Sequence, residues 1–510
     1  MKPSLSNTSR GLPKVRIIGF TGHRKLQNPE AVADAIRAEL VALQADGTQL
    51  IAMSSIAIGA DTVFAREVIR AGIKWIVLLP RAEKVFEKDF TPEQWTEAQA
   101  LMEKASDKRI LLGPDTDQAY VDCGKATVDD SDCLFAVWDG QPARGPGGTA
   151  EIIDYARMLG RKVTLFRVEG DRVAKEEAPA GSLAEAEAEN ILDLMGPPTE
   201  LSPAPQQLRD EFTTCDERAN EIAPHFRKNT LGMAQLHLAA TLVAGLALSI
   251  EANHFTIHWI LFGLSLVKFL CVLSALLLLL ALRRTRTHET WLQQRLAAEY
   301  CRSILATWHC RHFIDPISFQ EEEDLKGLAQ AALFLRLEKN PAEEPRIEEF
   351  RTAYAHNRVM EQLRYFRREW EKANQKAKPL RDRYRYYTYS AVFFSFFIVI
   401  YRLVIFIHGE FTFTSESWLQ FKEACMTVLE VYPLLFPALA SYMIARMGID
   451  EIDRRLGRFA DLKEKMRVAL IDLYYCSSWE SLSLSVERTE KILFNEVREW
   501  YSVSWFSSSE

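Results

Sequence analysis

The sequence has no excess of positive charge, no close cysteine pairs and no cleavable leader, and each absence narrows its chemistry. Its 62 Lys and Arg against 69 Asp and Glu give a formal net charge of −7, which offers no electrostatic footprint for nucleic acid. The eight cysteines are spread along 510 residues without short paired spacings, so reduced thiols in a cytosolic setting are expected. Trp308-His309-Cys310-Arg311-His312 gathers three metal-capable side chains, but a second ligand pair at zinc spacing is missing and no metal is expected. Residues 1–13 are polar and read as a disordered N-terminus, not as a signal peptide.

Three glycine-bearing turns organise the first third of the chain. They are Gly19-Phe20-Thr21-Gly22-His23-Arg24, Gly59-Ala60-Asp61 and Gly145-Pro146-Gly147-Gly148-Thr149-Ala150-Glu151, each after an apolar, strand-like run. Strands are predicted over 15–20, 50–53, 75–79, 109–112, 133–138 and 163–166. Helices are predicted between them over 29–45, 61–71, 92–106, 116–129 and 149–159, with apolar residues such as Val32, Ile36, Leu40 and Leu43 at helical spacing. This alternation predicts an α/β Rossmann-like domain over 14–168, its parallel sheet covered by helices on both faces. Ligands of such sheets sit outside the carboxyl ends of the strands.

Residues 169–225, rich in Ala, Glu and Pro, read as a linker with one short helix over 182–195. An all-α membrane region with four transmembrane helices follows. Apolar runs at 231–250 and 259–282 make a first hairpin within 226–312, and runs at 389–407 and 424–445 make a second within 313–510. Arg227, Lys228, Arg283, Arg284, Arg286, Arg381, Arg383, Arg385, Arg446, Arg454 and Arg455 flank one side of the runs, whereas the loops 251–258 and 408–423 carry only Lys422. The positive-inside rule then puts both termini and the middle region in the cytoplasm of a multi-pass membrane protein. Charged, helix-periodic segments between and after the hairpins predict long cytoplasmic helices, packed through Trp291, Tyr300, Tyr354, Leu363, Phe366 and Trp370.

The three turns should converge on one sheet edge. Glycines let backbone N–H groups approach phosphate oxygens, and helix N-termini favour anions. Gly147, Gly148 and the Thr149 hydroxyl form the best phosphate site; Thr21, Gly22, His23 and Arg24 add donors and charge, and Gly59 and Ala60 close the second turn. Asp61 either caps its helix or accepts from a ribose hydroxyl. Glu151 is a catalytic carboxylate, a ribose ligand or a helix-terminus charge partner, and Asp139 in Trp138-Asp139-Gly140 is open in the same way.

The blocks Thr21-Gly22-His23-Arg24, Ala57-Ile58-Gly59-Ala60-Asp61, Val128-Asp129-Asp130-Ser131-Asp132, Val137-Trp138-Asp139-Gly140 and Gly147-Gly148-Thr149 resemble the SLOG superfamily, nearest its YpsA-like branch. That group also holds the Lonely-Guy phosphoribohydrolases. The resemblance implies a Rossmann-like domain binding a nucleotide or an NAD- or ADP-ribose-derived ligand, with no resident cofactor. Pro146-Gly147-Gly148-Thr149-Ala150-Glu151 lacks the third glycine of the Lonely-Guy pattern and shifts its acid, which favours sensing over hydrolysis. Arg295-Leu296-Ala297-Ala298-Glu299-Tyr300 and the segment from Asn357 to Phe366 resemble SLATT domains, two-helix membrane effectors of bacterial conflict systems. Together the resemblances imply a pore-forming antiphage effector gated by a nucleotide messenger.

Lys268, Arg402 and Glu430 fall inside the predicted spans, where an ionisable group costs about 2.5–3.5 kcal/mol on insertion scales. Arg402 and Glu430 suit an internal pair, and Lys268 either lines a pore or snorkels. Four helices do not easily enclose a channel, so a homo-oligomer in the lipid bilayer is expected. The alternative is a membrane-anchored nucleotide or NAD hydrolase using Glu151.

Overall fold

The computed structural model describes residues 13–45, 47–111, 117–143, 145–169, 172–178, 185–252, 258–285, 287–316, 325–338, 344–408, 416–449 and 452–508. The predicted disorder of 1–13 falls, but for Pro13, outside them. The α/β domain comprises strands β1 (Val15–Gly22), β2 (Gln49–Ser54), β3 (Lys74–Leu79), β4 (Asp107–Ile110), β5 (Cys133–Val137), β6 (Lys162–Glu169) and β7 (Arg172–Ala178). Helices α1 (Pro29–Gln44), α2 (Ala60–Arg70), α3 (Glu83–Phe86), α4 (Pro92–Met102), α5 (Gln118–Asp129) and α6 (Thr149–Met158) connect them.

The sheet order is β4-β3-β2-β1-β5-β6-β7. β1 pairs in parallel with both β2 and β5, so the order reverses between β1 and β5. This is the topological switch point at which open α/β sheets leave a crevice. Central strands are buried on both faces: all five residues of β5 are buried, as are Ile18 and Phe20 of β1. The edge strand β4 is exposed throughout and carries Asp107, Lys108 and Arg109, a charge pattern that discourages pairing with other chains.

The sheet is mixed, because β7 runs antiparallel to β6. β7 lies in the segment read as a linker. It was not legible because Arg-Val-Ala-Lys-Glu-Glu-Ala has little apolar content; it is held by Lys162–Glu177 at 3.2 Å and Lys175–Glu39 at 2.6 Å as well as by its ladder. The rest of that segment supplies α7 (Glu185–Met195) and the first turns of α8 (Gln206–Ala252), which continues through Pro224.

The helical region continues with α9 (His258–Thr285), α10 (Thr287–Thr307), α11 (Lys326–Leu337), α12 (Ile347–Tyr354), α13 (Glu361–His408), α14 (Glu416–Ile449), α15 (Ile452–Tyr474) and α16 (Trp479–Ser508). A π-helical turn, Ala355–Met360, joins α12 to α13. Two helices among the described residues are long and apolar enough to cross a membrane, Lys228–Leu248 within α8 and Trp259–Ala281 within α9, where four were expected. The other two predicted runs lie on α13 and α14, and the parts of them at 401–407 and 424–430 have side chains that, Leu403 apart, are outside the described set. On α9, Trp259 is 85% and Phe262 65% exposed. Leaving such side chains in water forfeits about 1.5–3 kcal/mol each, so these faces require a non-aqueous surrounding.

The expected packing seam is buried at Trp291, Tyr300, Tyr354, Leu363 and Phe366, with Trp370 packed partly buried against the core. One apolar core runs from the sheet into this region. Leu134, Val163, Ile153 and Val128 of the α/β domain share it with Met466, Leu470 and Leu473 of α15 and Leu482 of α16. Its polar centre is Lys125 Nζ, 3.0 Å from Asp472 Oδ1, with the side chains only 10% and 7% exposed. The Tyr155 hydroxyl lies 2.9 Å from the same Asp472 oxygen and 2.7 Å from Asp129. Gln118 donates to the Tyr475 carbonyl at 3.2 Å and accepts from the Ser477 N–H at 2.9 Å.

Asp472→Ala leaves the Lys125 ammonium buried without its carboxylate and should cost about 3–5 kcal/mol in chemical denaturation. The double variant Lys125→Met/Asp472→Leu, which removes both charges, should recover most of that loss.

Candidate functional site

At the switch point the predicted turns meet. The His23 N–H donates to the Val137 carbonyl at 3.2 Å, and the Ala60 N–H donates to the His23 carbonyl at 3.0 Å, so β1, β5 and the start of α2 are stitched side by side. Gly59 has φ +94°, and a Cβ there would lie 2.4 Å from the Arg24 carbonyl oxygen; only glycine lets the two loops touch. Gly147 has φ +70°, and a Cβ on it would lie 2.6 Å from the backbone of Tyr120. Tyr120 in turn stands beside two cations, with the guanidinium of Arg81 4.9 Å and that of Arg24 5.8 Å from its ring centroid. Its hydroxyl bonds Asp89, and burial, with Asp89 adding to it, pushes its pKa up to about 12.

Thr21, Gly22, His23, Arg24, Gly59, Ala60, Asp61, Asp139, Gly147, Gly148, Thr149 and Glu151 therefore lie at the carboxyl ends of β1, β2 and β5 or on the loops and helix starts that follow them. Helices α2 and α6 both start there. Each has a glycine N-cap, Gly59 and Gly148, and neither receives a side-chain cap. Helix N-termini without a side-chain cap attract anionic oxygens.

The three carboxylates occupy different roles. Glu151 Oε2 accepts the Gly147 N–H at 2.7 Å and so closes its own glycine turn. Burial raises its pKa, offset in part by that hydrogen bond and by Lys125. Asp139 Oδ1 accepts the Gln141 N–H at 3.0 Å and sits 2.8 Å from His23 Nε2. The same ring nitrogen lies 3.0 Å from the Asp139 N–H. It accepts that N–H when unprotonated and pairs with the carboxylate when protonated.

Asp61 does not cap α2. Its Oδ2 accepts the Ala57 N–H at 3.1 Å, four residues upstream, while its Oδ1 is buried with no hydrogen-bond partner among the described residues. Burial raises its pKa to about 7, against the opposing pull of the Ala57 bond and Arg24.

Sequence reasoning missed Arg81 and Tyr120. Arg81 follows β3 by two residues, so its position past a strand's carboxyl end was an available signal. Tyr120 sits within an ordinary helix and carried none. In the membrane region Lys268 is exposed on α9, with no ion-pair partner among the described residues. The side chains of Arg402 and Glu430, and with them the expected pair, lie outside the described residues. His309 is bonded to the Ser202 carbonyl at 2.7 Å and Cys310 to Ser483 at 3.3 Å, both packing contacts.

An α/β domain with a topological switch point is thus joined, through one core, to two helices long and apolar enough to cross a membrane. Residues 212–370 match the family model of the SMODS and SLOG-associating 2TM effector domain 3, SLATT_3. Both apolar spans fall inside the match, and so do the two segments that resemble SLATT domains. The two findings together point to a membrane protein. The match does not extend into the α/β domain. No curated protein matches the chain.

Asp61 links the crevice to pH. An acid with a folded pKa near 7 and an ordinary value of 3.8 binds more protons folded than unfolded between those values, so its contribution falls as pH rises across that window and then levels off. Asp61→Asn should flatten the pH dependence of the unfolding midpoint between about pH 4 and 7, measured in matched buffers.

Proposed function

We propose that the chain is a membrane effector of bacterial antiphage defence, gated by a nucleotide- or ADP-ribose-derived signal. The signal binds the switch-point crevice, its phosphates on the N-termini of α2 and α6 beside Arg24 and Arg81, and a ribose hydroxyl on Asp61. Binding shifts the helices that lead to the membrane and opens or assembles a pore. The observation that carries this reading is the continuous buried route between the two. From α6 it passes through Tyr155 to Asp472 of α15, across the apolar core that Leu470 of α15 shares with Leu482 and Val486 of α16, then through Glu490 of α16 to Arg358 at 2.8 Å and on to Glu299 of α10 at 3.0 Å. α10 follows directly on the membrane helix α9. A ligand moves this equilibrium only by binding the open arrangement better than the closed one.

The SLATT_3 match and the apolar hairpin support the effector half of the proposal. A second hairpin from α13 and α14 is part of it. Phe394 of α13 stacks on Tyr432 and Phe436 of α14 at 4.7 and 5.5 Å, and the opposite face of α13 leaves Phe393 and Phe396 bare. The assembly is a homo-oligomer in the inner membrane with cytoplasmic termini, Lys268 near its conducting path. The hydrolase alternative is disfavoured by Glu151, whose carboxylate is committed to the Gly147 N–H.

In liposomes, nucleotides or ADP-ribose should bind the full chain and release a trapped ion dye. Arg81→Gln should weaken binding about tenfold, the loss of one charge-assisted contact, and Gly148→Val should abolish both binding and leak. Binding without leak would remove the effector mechanism. Ligand turnover seen by chromatography and abolished in Glu151→Gln would establish the hydrolase instead.

A further inference from the structure

A cavity of about 1130 Å³ lies in the helical region, away from the sheet. Its walls come from α8, α10, α13, α15 and α16. It sits at the root of the membrane hairpin: Pro224 on its wall is four residues before the first span, and Trp291 is ten residues after the second. At ~1.5 Å per helical residue these are ~6 and ~15 Å.

The lining carries seven arginines against five carboxylates. Part of this charge is paired internally: Arg295 and Arg302 share Asp216 at 3.3 and 3.1 Å, and Arg458 lies 3.4 Å from Glu496. Arg364 and Arg368 of α13 and Arg455 of α15 line the same space, and none has an ion-pair partner among the described residues. Glu496, the carboxylate that α16 brings to this wall, is already engaged by Arg458. Arg364 and Arg368 are exposed and Arg455 half-buried, so their guanidinium groups are available to an anion entering a volume large enough for a drug-sized ligand. Planar guanidinium groups match phosphate oxygens in two-point contacts, and Trp291, Phe366 and Phe459 add apolar wall.

We propose that this cavity is a second binding site, for a phosphate-bearing anion held by Arg364, Arg368 and Arg455. The anion bridges α13 to α15 beneath the membrane helices and fixes their relative position. The site is separate from the switch-point crevice and does not rest on the function proposed for it.

The test uses the full chain in phosphatidylcholine nanodiscs, with inorganic pyrophosphate as the soluble probe in equilibrium dialysis. Binding should weaken at least about tenfold in Arg364→Gln/Arg368→Gln/Arg455→Gln and persist in Gly148→Val, which alters only the crevice. A parallel arm adds phosphatidylglycerol and counts retained lipids by native mass spectrometry. Retention lost in the triple variant, without pyrophosphate binding, assigns the phosphate to a lipid headgroup, whereas pyrophosphate binding assigns it to a soluble ligand. Arg455→Gln with Arg455→Lys as rescue carries both arms if the triple variant does not fold. The proposal is overturned if neither probe binds, if both bind the arginine variants as they bind the unaltered chain, or if pyrophosphate binding is lost in Gly148→Val and kept in the arginine variants.

Discussion

A lysine–aspartate pair buried between α5 and α15 joins the two halves of this protein. Taking two charges out of water costs several kcal/mol per ion, and the pair repays that only when geometry and extra hydrogen bonds are good. Here Asp472 also meets the Tyr155 hydroxyl, and Arg488 stands 3.7 Å from its other oxygen. Hydrophobic contact alone would let α15 slide over α5 and α6. The pair fixes its register, and the crevice above α6 therefore shares a rigid support with the helices below it. The Arg358–Glu299–Glu490 cluster repeats the device nearer the membrane, again with nearly complete burial.

The two candidate anion sites use different physics. The crevice relies on backbone: two glycine-capped helix starts, with Arg24 and Arg81 as outlying charge. Such a site reads shape as much as charge, because glycine positions fix how near a ligand comes. The cavity at the membrane root relies on long arginine side chains from several helices. It is sensitive to how those helices sit, so occupancy there and helix position are mutually dependent.

Much of the α/β domain was legible. Strands predicted over 15–20, 50–53 and 75–79 are β1, β2 and β3 within about two residues at each end, because each is a continuous apolar run buried on both faces. β7 was not, since a charged edge strand is held by its neighbour's ladder and by cross-strand ions rather than by its own apolar content. The glycine turns announced that the ends of β1, β2 and β5 come together, yet they did not assign the carboxylates. Asp61, Asp139 and Glu151 were equivalent as letters, and only the fold gave Glu151 the Gly147 N–H, Asp139 the His23 ring and Asp61 an unmatched oxygen.

By itself the sequence determined the local periods: apolar strands, glycine turns, and four apolar runs, of which two are long and apolar enough among the described residues to cross a membrane. Those depend on neighbours a few residues apart, which the chain order preserves. Tertiary structure alone decided that Lys125 meets Asp472, that Arg81 and Arg24 flank Tyr120, and that arginines of α13 and α15 line one cavity. These pairings join residues up to hundreds of positions apart. No local preference encodes them; they follow from which faces are left to bury once each helix has formed.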